Sequence, residues 1–141
     1  DTDQIKSVAA GECGVAISNS YYFARLMRSN KPEDQKVVEA LGVIWPNQQT
    51  QGTHINISGG GMLKTAPHKE AAIKFLEYLV SDDAQRYFAD GNNEWPVVAS
   101  VKTDNPALAA LGGFKADTLA VPALAKNVVT AQKIADRAGW K

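Results

Sequence analysis

A short apolar run between two helical segments constrains the fold of this chain most strongly. Residues 13–17 (CGVAI) are almost continuously apolar and are bounded by Gly11 and by Ser18-Asn19. Such a run is typical of a strand buried on both faces, as in a parallel sheet. Because helical patterns precede and follow it, the sequence predicts an α/β fold.

Local signals along the chain predict further elements. The sequence predicts a first helix that starts at Thr2-Asp3-Gln4 and closes at Gly11, and a second over about residues 21–29. It also predicts helices over residues 32–41, after Pro67, from Ser81 to about residue 90, and over about 126–137, with strands at 43–45 and 54–58 and an extended piece at 95–98. Few strands accompany many helices, and a sheet of two or three strands would leave its edges uncovered. We therefore expect strands from outside this chain.

Charge and cysteine content exclude several classes of protein. The chain has 15 basic and 15 acidic residues, so its formal net charge is zero. This balance argues against a general nucleic-acid binder, which needs clustered Lys and Arg. No apolar run approaches the roughly 18–20 residues that span a bilayer. A single cysteine, Cys13, excludes an internal disulfide and a cysteine-rich metal site.

The strongest candidate site is the run Ser18-Asn19-Ser20-Tyr21-Tyr22. It lies at the carboxyl end of the predicted strand, where open α/β sheets bind ligands, and at a helix start, which attracts anions. Neighbouring tyrosines can converge there because the backbone is leaving the strand. A hard cation such as Fe(III) would favour their phenolates. The structural alternative is that Tyr21 packs in the core and Tyr22 covers the surface.

Other candidate residues are more simply explained by structure. The triplet Gly59-Gly60-Gly61 lacks the spacing of a phosphate-binding motif, so a hinge or a close backbone approach is expected. His54 and His68 are single histidines, which we interpret as surface or loop residues. Cys13 has no neighbouring base that would make it a nucleophile.

Two stretches resemble a known family. Residues 9–22 (AAGECGVAISNSYY) resemble the segment around the paired tyrosines of bacterial periplasmic ferric-ion-binding proteins, the bacterial transferrins that capture iron for ABC importers. Residues 59–79 (GGGMLKTAPHKEAAIKFLEYL), continuing to Trp95-Pro96, resemble the wider group of extracellular solute-binding proteins. The resemblance covers essentially the whole chain but only the C-terminal part, somewhat under half, of such a protein.

The resemblance implies a ligand set. Tyr21 and Tyr22 match the paired tyrosine ligands of Fe(III), and Asn19 matches a position that holds a synergistic anion such as carbonate or phosphate. Asp1 falls near another anion-contacting position, where a carboxylate would repel an anion. Arg25, one helical turn beyond the tyrosines, either stabilises the phenolates without touching the metal or is a surface charge. The remaining ligands would come from the N-terminal half of the protein.

The resemblance also implies an architecture and partners. The family fold, the type II periplasmic-binding-protein fold, has two α/β lobes. It predicts residues 1–55 and 105–141 in the C-terminal lobe and 56–104 in the N-terminal lobe, with a hinge crossing at 54–58. The expected partners are an inner-membrane ABC permease and the rest of the same protein. The expected location is the periplasm, free or lipid-anchored.

Three other interpretations of the function of this chain stay open. A solute-binding protein for an organic anion or a polyamine fits the second stretch equally well. An enzyme that uses the two tyrosines as acid and base lacks a visible second catalytic group. The third is a piece of a longer protein with no function alone, which is compatible with iron binding by that protein.

Overall fold

A computed structural model describes residues 1–140, and these form helices joined by extended segments. The described helices are α1 (Thr2–Ala9), α2 (Ser20–Met27), α3 (Pro32–Glu39), α4 (Lys69–Leu79), α5 (Asp82–Asn92), α6 (Pro106–Leu111) and α7 (Val121–Arg137). They divide between two units. Unit 1 comprises residues 1–44 and 56–113, and unit 2 comprises residues 45–55 and 114–141. No described helix is both long and apolar enough to cross a membrane.

The helices begin where capping chemistry places them. Ser81 accepts a 3.3 Å hydrogen bond from the backbone N–H of Ala84 and so caps α5, as the sequence predicts. Helix α6, which the sequence analysis did not predict, starts with Asn105 as its cap and Pro106 in its first turn. Helix α7 begins five residues earlier than predicted because Pro122 is tolerated in a first helical turn.

The predicted strands are not formed within residues 1–140. The described backbone pairing consists of one isolated parallel bridge, between Thr53 and Ala116. Segments 13–17, 43–45 and 54–58 contain no strand in the described structure. The prediction that residues 13–17 are buried is also wrong, since Val15 and Ile17 are each 78% exposed. A strand gains its hydrogen bonds only from a neighbouring strand, and the described residues do not supply one.

The core of unit 1 forms around α2, which packs against α1, α3 and α6, while α4 packs against α5. The buried apolar residues are Ile5, Ala24, Leu26, Ala84, Ala89, Val101, Ala107 and Leu108. Several of them are alanines, because small side chains let helices approach closely. This packing fixes α2, and with it the residues at its N-terminal end.

Unit 2 is held by a network of polar contacts and one aromatic pair. Trp45 stacks on Phe114 with ring centroids 4.4 Å apart. The side chain of Gln48 donates to the hydroxyl of Thr53 and accepts from the backbone N–H of Lys115, at 2.8 and 2.7 Å. These bonds join residues 45–55 to the segment that leads into α7.

The apolar side of α7 is not covered within the described residues. Val128 and Ile134, which follow the helical spacing with Ala131 and Ala135, are 59% and 60% exposed. The apolar side of α4 is partly covered, since Leu76 is half-buried and Ile73 is exposed. Helical periodicity marks the apolar side correctly but does not say what covers it.

Candidate functional site

The two tyrosines of the predicted site converge at the first turn of α2. The rings of Tyr21 and Tyr22 have centroids 4.5 Å apart and planes inclined by 38°. Both side chains are half-buried, so neither the core position proposed for Tyr21 nor the surface position proposed for Tyr22 describes them well. The backbone changes direction at the start of α2, so the side chains of these two adjacent residues lie close together. Their two phenol oxygens are therefore in the same environment.

Tyr21 is held as a neutral phenol. A hydrogen bond with Tyr22 raises the pKa of Tyr21 above its ordinary value of 10.0, and burial and the negative charges of Tyr22 and Glu94 raise it further. A hydrogen bond with Asn19 acts in the opposite direction and lowers the pKa of Tyr21. A ligand that needs the phenolate must therefore displace a tightly held proton, which a highly charged cation can do.

Asn19 lies at the centre of the polar contacts around the tyrosines. Its backbone N–H and its Nδ2 donate to the Oδ2 atom of Asp1 at 2.8 and 3.2 Å. The same Nδ2 donates to the Oη atom of Tyr21 at 3.4 Å. The structure thus places Asn19 beside Tyr21, where the sequence put it, and gives it a carboxylate partner that the sequence analysis did not assign.

Asn56 completes this group of side chains. Its Nδ2 donates to the Oδ1 atom of Asn19 at 3.2 Å. The sequence analysis did not single out Asn56, although the alternation in residues 54–58 puts His54, Asn56 and Ser58 on one polar side. This alternation is the sequence signal that could have identified Asn56. Glu94, which acts on Tyr21 through its charge, had no comparable signal.

Arg25 lies beside the second tyrosine. Its guanidinium carbon is 5.4 Å from the centroid of the Tyr22 ring, within the range of a cation–π contact. The residue is also exposed. Both interpretations of Arg25, a neighbour of the phenolates and a surface charge, agree with this position.

The remaining candidates lie outside this cluster of side chains. Cys13, His54 and His68 are all exposed. Among residues 1–140, no three His, Cys, Asp or Glu side chains converge where they could hold a metal ion. A Cβ atom at Gly60 would lie 2.9 Å from the side chain of Leu76, whereas Gly59 and Gly61 face open space, so a close approach occurs at one residue of the triplet and the hinge stays a prediction. The tyrosine pair is thus the described feature with chemistry suited to a hard cation.

Comparisons with known proteins identify the relatives of this chain. The chain is 51% identical to "Iron uptake protein A2" of Synechocystis sp., over 100% of the chain and 41% of that protein. A solved structure described as "Trichodesmium (IdiA) (FutA) in complex with iron and citrate ligands" superposes with a TM-score of 0.92 and 55% identity, over 100% of this chain and 44% of that one. The ferric binding protein from Campylobacter jejuni superposes with a TM-score of 0.90 and 40% identity, over 100% of this chain and 44% of that one.

These matches confirm the resemblance to ferric-ion-binding proteins and support the periplasmic-binding-protein fold. The chain spans less than half the length of these relatives. Their fold extends beyond the present residues, so the absence of strands in residues 1–140 does not conflict with an α/β class. Residues 1–116 match the family described as bacterial extracellular solute-binding protein. The chain therefore belongs to the bacterial extracellular solute-binding protein family.

Proposed function

We propose that this chain forms part of an iron-capturing solute-binding protein, with Fe(III) as its cargo and the phenolate oxygens of Tyr21 and Tyr22 as metal ligands. The observation that carries the proposal is the convergence of the two tyrosines, whose ring centroids lie 4.5 Å apart at the start of α2. Relatives named for iron uptake and ferric iron binding support it.

The chemistry of the pair suits a trivalent cation. Fe(III) is a hard ion that prefers oxygen ligands, and its charge stabilises the phenolate form of a tyrosine. The amide Nδ2 of Asn19 donates toward Tyr21 and favours the phenolate. Arg25, next to the Tyr22 ring, adds a positive charge that would stabilise the second phenolate.

The proposed anion has a competitor within the chain. Carbonate or phosphate would bind at Asn19 and the first turn of α2, because a helix N-terminus attracts negative charge. The carboxylate of Asp1 already accepts two hydrogen bonds from Asn19. An anion from solution would have to displace Asp1 or bind beside it, in agreement with the repulsion expected from the sequence.

The protein's place in transport follows from the family. We propose a periplasmic protein that delivers iron to an inner-membrane ABC permease and catalyses no reaction. The remaining iron ligands would come from the rest of the same protein. Closure around the ion would produce the form that the permease recognises.

The test is a visible absorption titration of the complete protein with Fe(III), with and without bicarbonate or citrate. Citrate is included because the Trichodesmium structure contains it together with iron. We expect a phenolate-to-iron charge-transfer band that weakens in Tyr21→Phe and in Tyr22→Phe and is absent from the double variant.

Tyr87→Phe is the matched control, since Tyr87 lies on α5 and is 72% exposed. It should keep the full band. An unchanged band in the Tyr21→Phe/Tyr22→Phe variant would contradict the assignment of these ligands. Tight binding of citrate or of a polyamine without any iron band would instead identify a different cargo.

A further inference from the structure

Two successive hydrogen bonds connect Asn56 to Tyr21 through Asn19. Asn56 Nδ2 donates to Asn19 Oδ1 at 3.2 Å, and Asn19 Nδ2 donates to Tyr21 Oη at 3.4 Å. The second acceptor of the same Nδ2 is Asp1 Oδ2, at 3.2 Å. One amide group, that of Asn19, therefore contacts three side chains from separate parts of unit 1.

The chemistry of these partners determines which way the Asn19 amide faces. An ionised carboxylate only accepts hydrogen bonds, so the edge of Asn19 toward Asp1 must be its NH₂ group. That edge also faces Tyr21 Oη. The carbonyl oxygen Oδ1 then points to Asn56, which must donate. The reversed amide would put Oδ1 against Asp1 and against a phenolate, and it would leave the NH₂ group of Asn56 facing another NH₂ group.

We propose that Asn56 is a positioning residue for Fe(III) binding, because its hydrogen bond to Oδ1 adds to the contact with Asp1 that turns the NH₂ edge of Asn19 toward Tyr21 Oη. The proposal rests on the proposed function, since it gives the ligand Tyr21 its neighbour. Asn56 is suited to this role because its Nδ2 lies 3.2 Å from the Oδ1 atom of Asn19. Its side chain contacts Asn19, the residue that precedes α2.

The decisive experiment is a double-mutant cycle in the complete protein. Asn56→Ala removes the donor to Asn19, and Asn56→Gln keeps an amide. We expect Asn56→Ala to weaken Fe(III) binding about three- to tenfold, the range for one hydrogen bond of modest net strength, and to shift the charge-transfer band. Asn56→Gln should restore a large part of the affinity. In an Asn19→Ala background, Asn56→Ala should have no further effect.

A second readout needs no iron. In the metal-free protein, the side-chain NH₂ resonances of Asn19 should shift in Asn56→Ala and recover in Asn56→Gln. Asn127→Ala is the control, because Asn127 is exposed and donates within α7, to the backbone of Ala123. It should change neither the iron affinity nor the Asn19 resonances. This readout also applies if Asn19→Ala fails to fold.

Several outcomes would overturn the positioning role. These are an unchanged affinity and unchanged Asn19 resonances in Asn56→Ala, or an equal loss of affinity in the wild-type and Asn19→Ala backgrounds. If wild type shows the iron band and Tyr21→Phe weakens it, either result refutes the role of Asn56 alone. If wild type shows no iron band, the proposed function itself fails, and the positioning role fails with it.

Discussion

The Oδ2 atom of Asp1 lies 2.8 Å from the backbone nitrogen of Asn19 and 3.2 Å from its Nδ2. One carboxylate thus receives two hydrogen bonds at the residue that precedes α2. This is the end of the helix where partial positive charge attracts anions. Under the proposed function, the carboxylate of Asp1 would compete with the anion for Asn19.

Replacing Asp1 with alanine should increase the effect of added anions on iron binding. The side chain of Asp1 makes no capping bond to α1, so Asp1→Ala removes the carboxylate without removing a side-chain cap. We expect bicarbonate or phosphate to tighten Fe(III) binding more in Asp1→Ala than in wild type. Affinities measured by competition with a chelator, with and without each anion, test this. Asp3→Ala, an exposed change on the same helix, is the control. An equal anion effect in Asp1→Ala and wild type would contradict competition.

Removing the Tyr22 hydroxyl should lower the pKa of Tyr21. The hydrogen bond with Tyr22 is the largest cause that raises this pKa, and the charge of Tyr22 adds to it. In Tyr22→Phe both effects disappear, so Tyr21 should ionise closer to pH 10.0. Glu94→Gln should act in the same direction but less strongly. Ultraviolet absorbance of phenolate against pH measures both shifts, and Tyr87→Phe should leave the ionisation of Tyr21 unchanged.

The same shift determines how stability depends on pH. As the pH rises past 10.0, the unfolded chain loses the Tyr21 proton while the folded chain keeps it, so the free energy of unfolding falls. The fall ends when the pH passes the raised pKa of the folded state. Urea denaturation at neutral and alkaline pH should show a smaller fall in Tyr22→Phe than in wild type. An equal fall in both proteins would refute this linkage.

Local signals predicted the helices because caps and helix starts depend on neighbouring residues. Pro32 and Ser81 mark the beginnings of α3 and α5 where the structure has them. The strands were not predicted reliably, because a strand depends on a partner distant in sequence. Residues 13–17 have the composition of a buried strand, yet Val15 and Ile17 are exposed in the described structure. The lobe boundaries near residues 55 and 104 stay predictions.

In the candidate site, too, sequence reasoning found what depends on neighbouring residues and missed what depends on distant ones. The convergence of Tyr21 and Tyr22 follows from their adjacency at a helix start, so sequence reasoning found it. The contacts of Asn19 with Asp1 and Asn56 join residues 18 and 37 positions apart. No local pattern specifies such contacts. They become visible only after the packing of unit 1 is known.

Asn105 should be among the polar residues most important for the stability of unit 1. It is 3% exposed, and its Nδ2 donates to the carbonyl of Ala89 and to Oδ1 of Asn93 at 2.8 and 2.9 Å. Its Oδ1 caps α6 by accepting from two backbone N–H groups. Asn105→Ala removes the cap of α6 and two buried hydrogen bonds, although the Ala89 carbonyl keeps the N–H of Asn93 and Asn93 Oδ1 keeps Arg28 as donors. The loss of the cap and of both bonds should lower the free energy of unfolding by about 2–4 kcal/mol.

Urea denaturation followed by circular dichroism measures the effect of Asn105→Ala. Asn30→Ala is the control, because Asn30 is exposed, and it should change the free energy of unfolding by less than about 0.5 kcal/mol. Asn105→Asp separates the contribution of the helix cap from that of the hydrogen bonds donated by Nδ2. It keeps the capping oxygen but turns the donor toward Ala89 into an acceptor, so it should remain destabilising. Wild-type stability in Asn105→Asp would show that the cap alone matters.

Gly52→Ala should destabilise unit 2 through a backbone conflict. Gly52 has φ of +98°, and a Cβ atom there would lie 2.6 Å from the carbonyl oxygen of Lys115. That oxygen accepts a 2.8 Å hydrogen bond from the N–H of Thr53, whose own carbonyl accepts from Asp117. Alanine would strain the backbone and separate these two segments, at a cost of about 3 kcal/mol for the strain and lost bonds together.

Amide hydrogen exchange at Thr53 and Asp117 should accelerate in the Gly52→Ala variant, and the fluorescence of Trp45, stacked on Phe114, should change. Gly59→Ala, where a Cβ atom meets open space, should leave both signals as in wild type. Unchanged exchange at Thr53 in Gly52→Ala would show that the Lys115 carbonyl can move away without breaking the bridge.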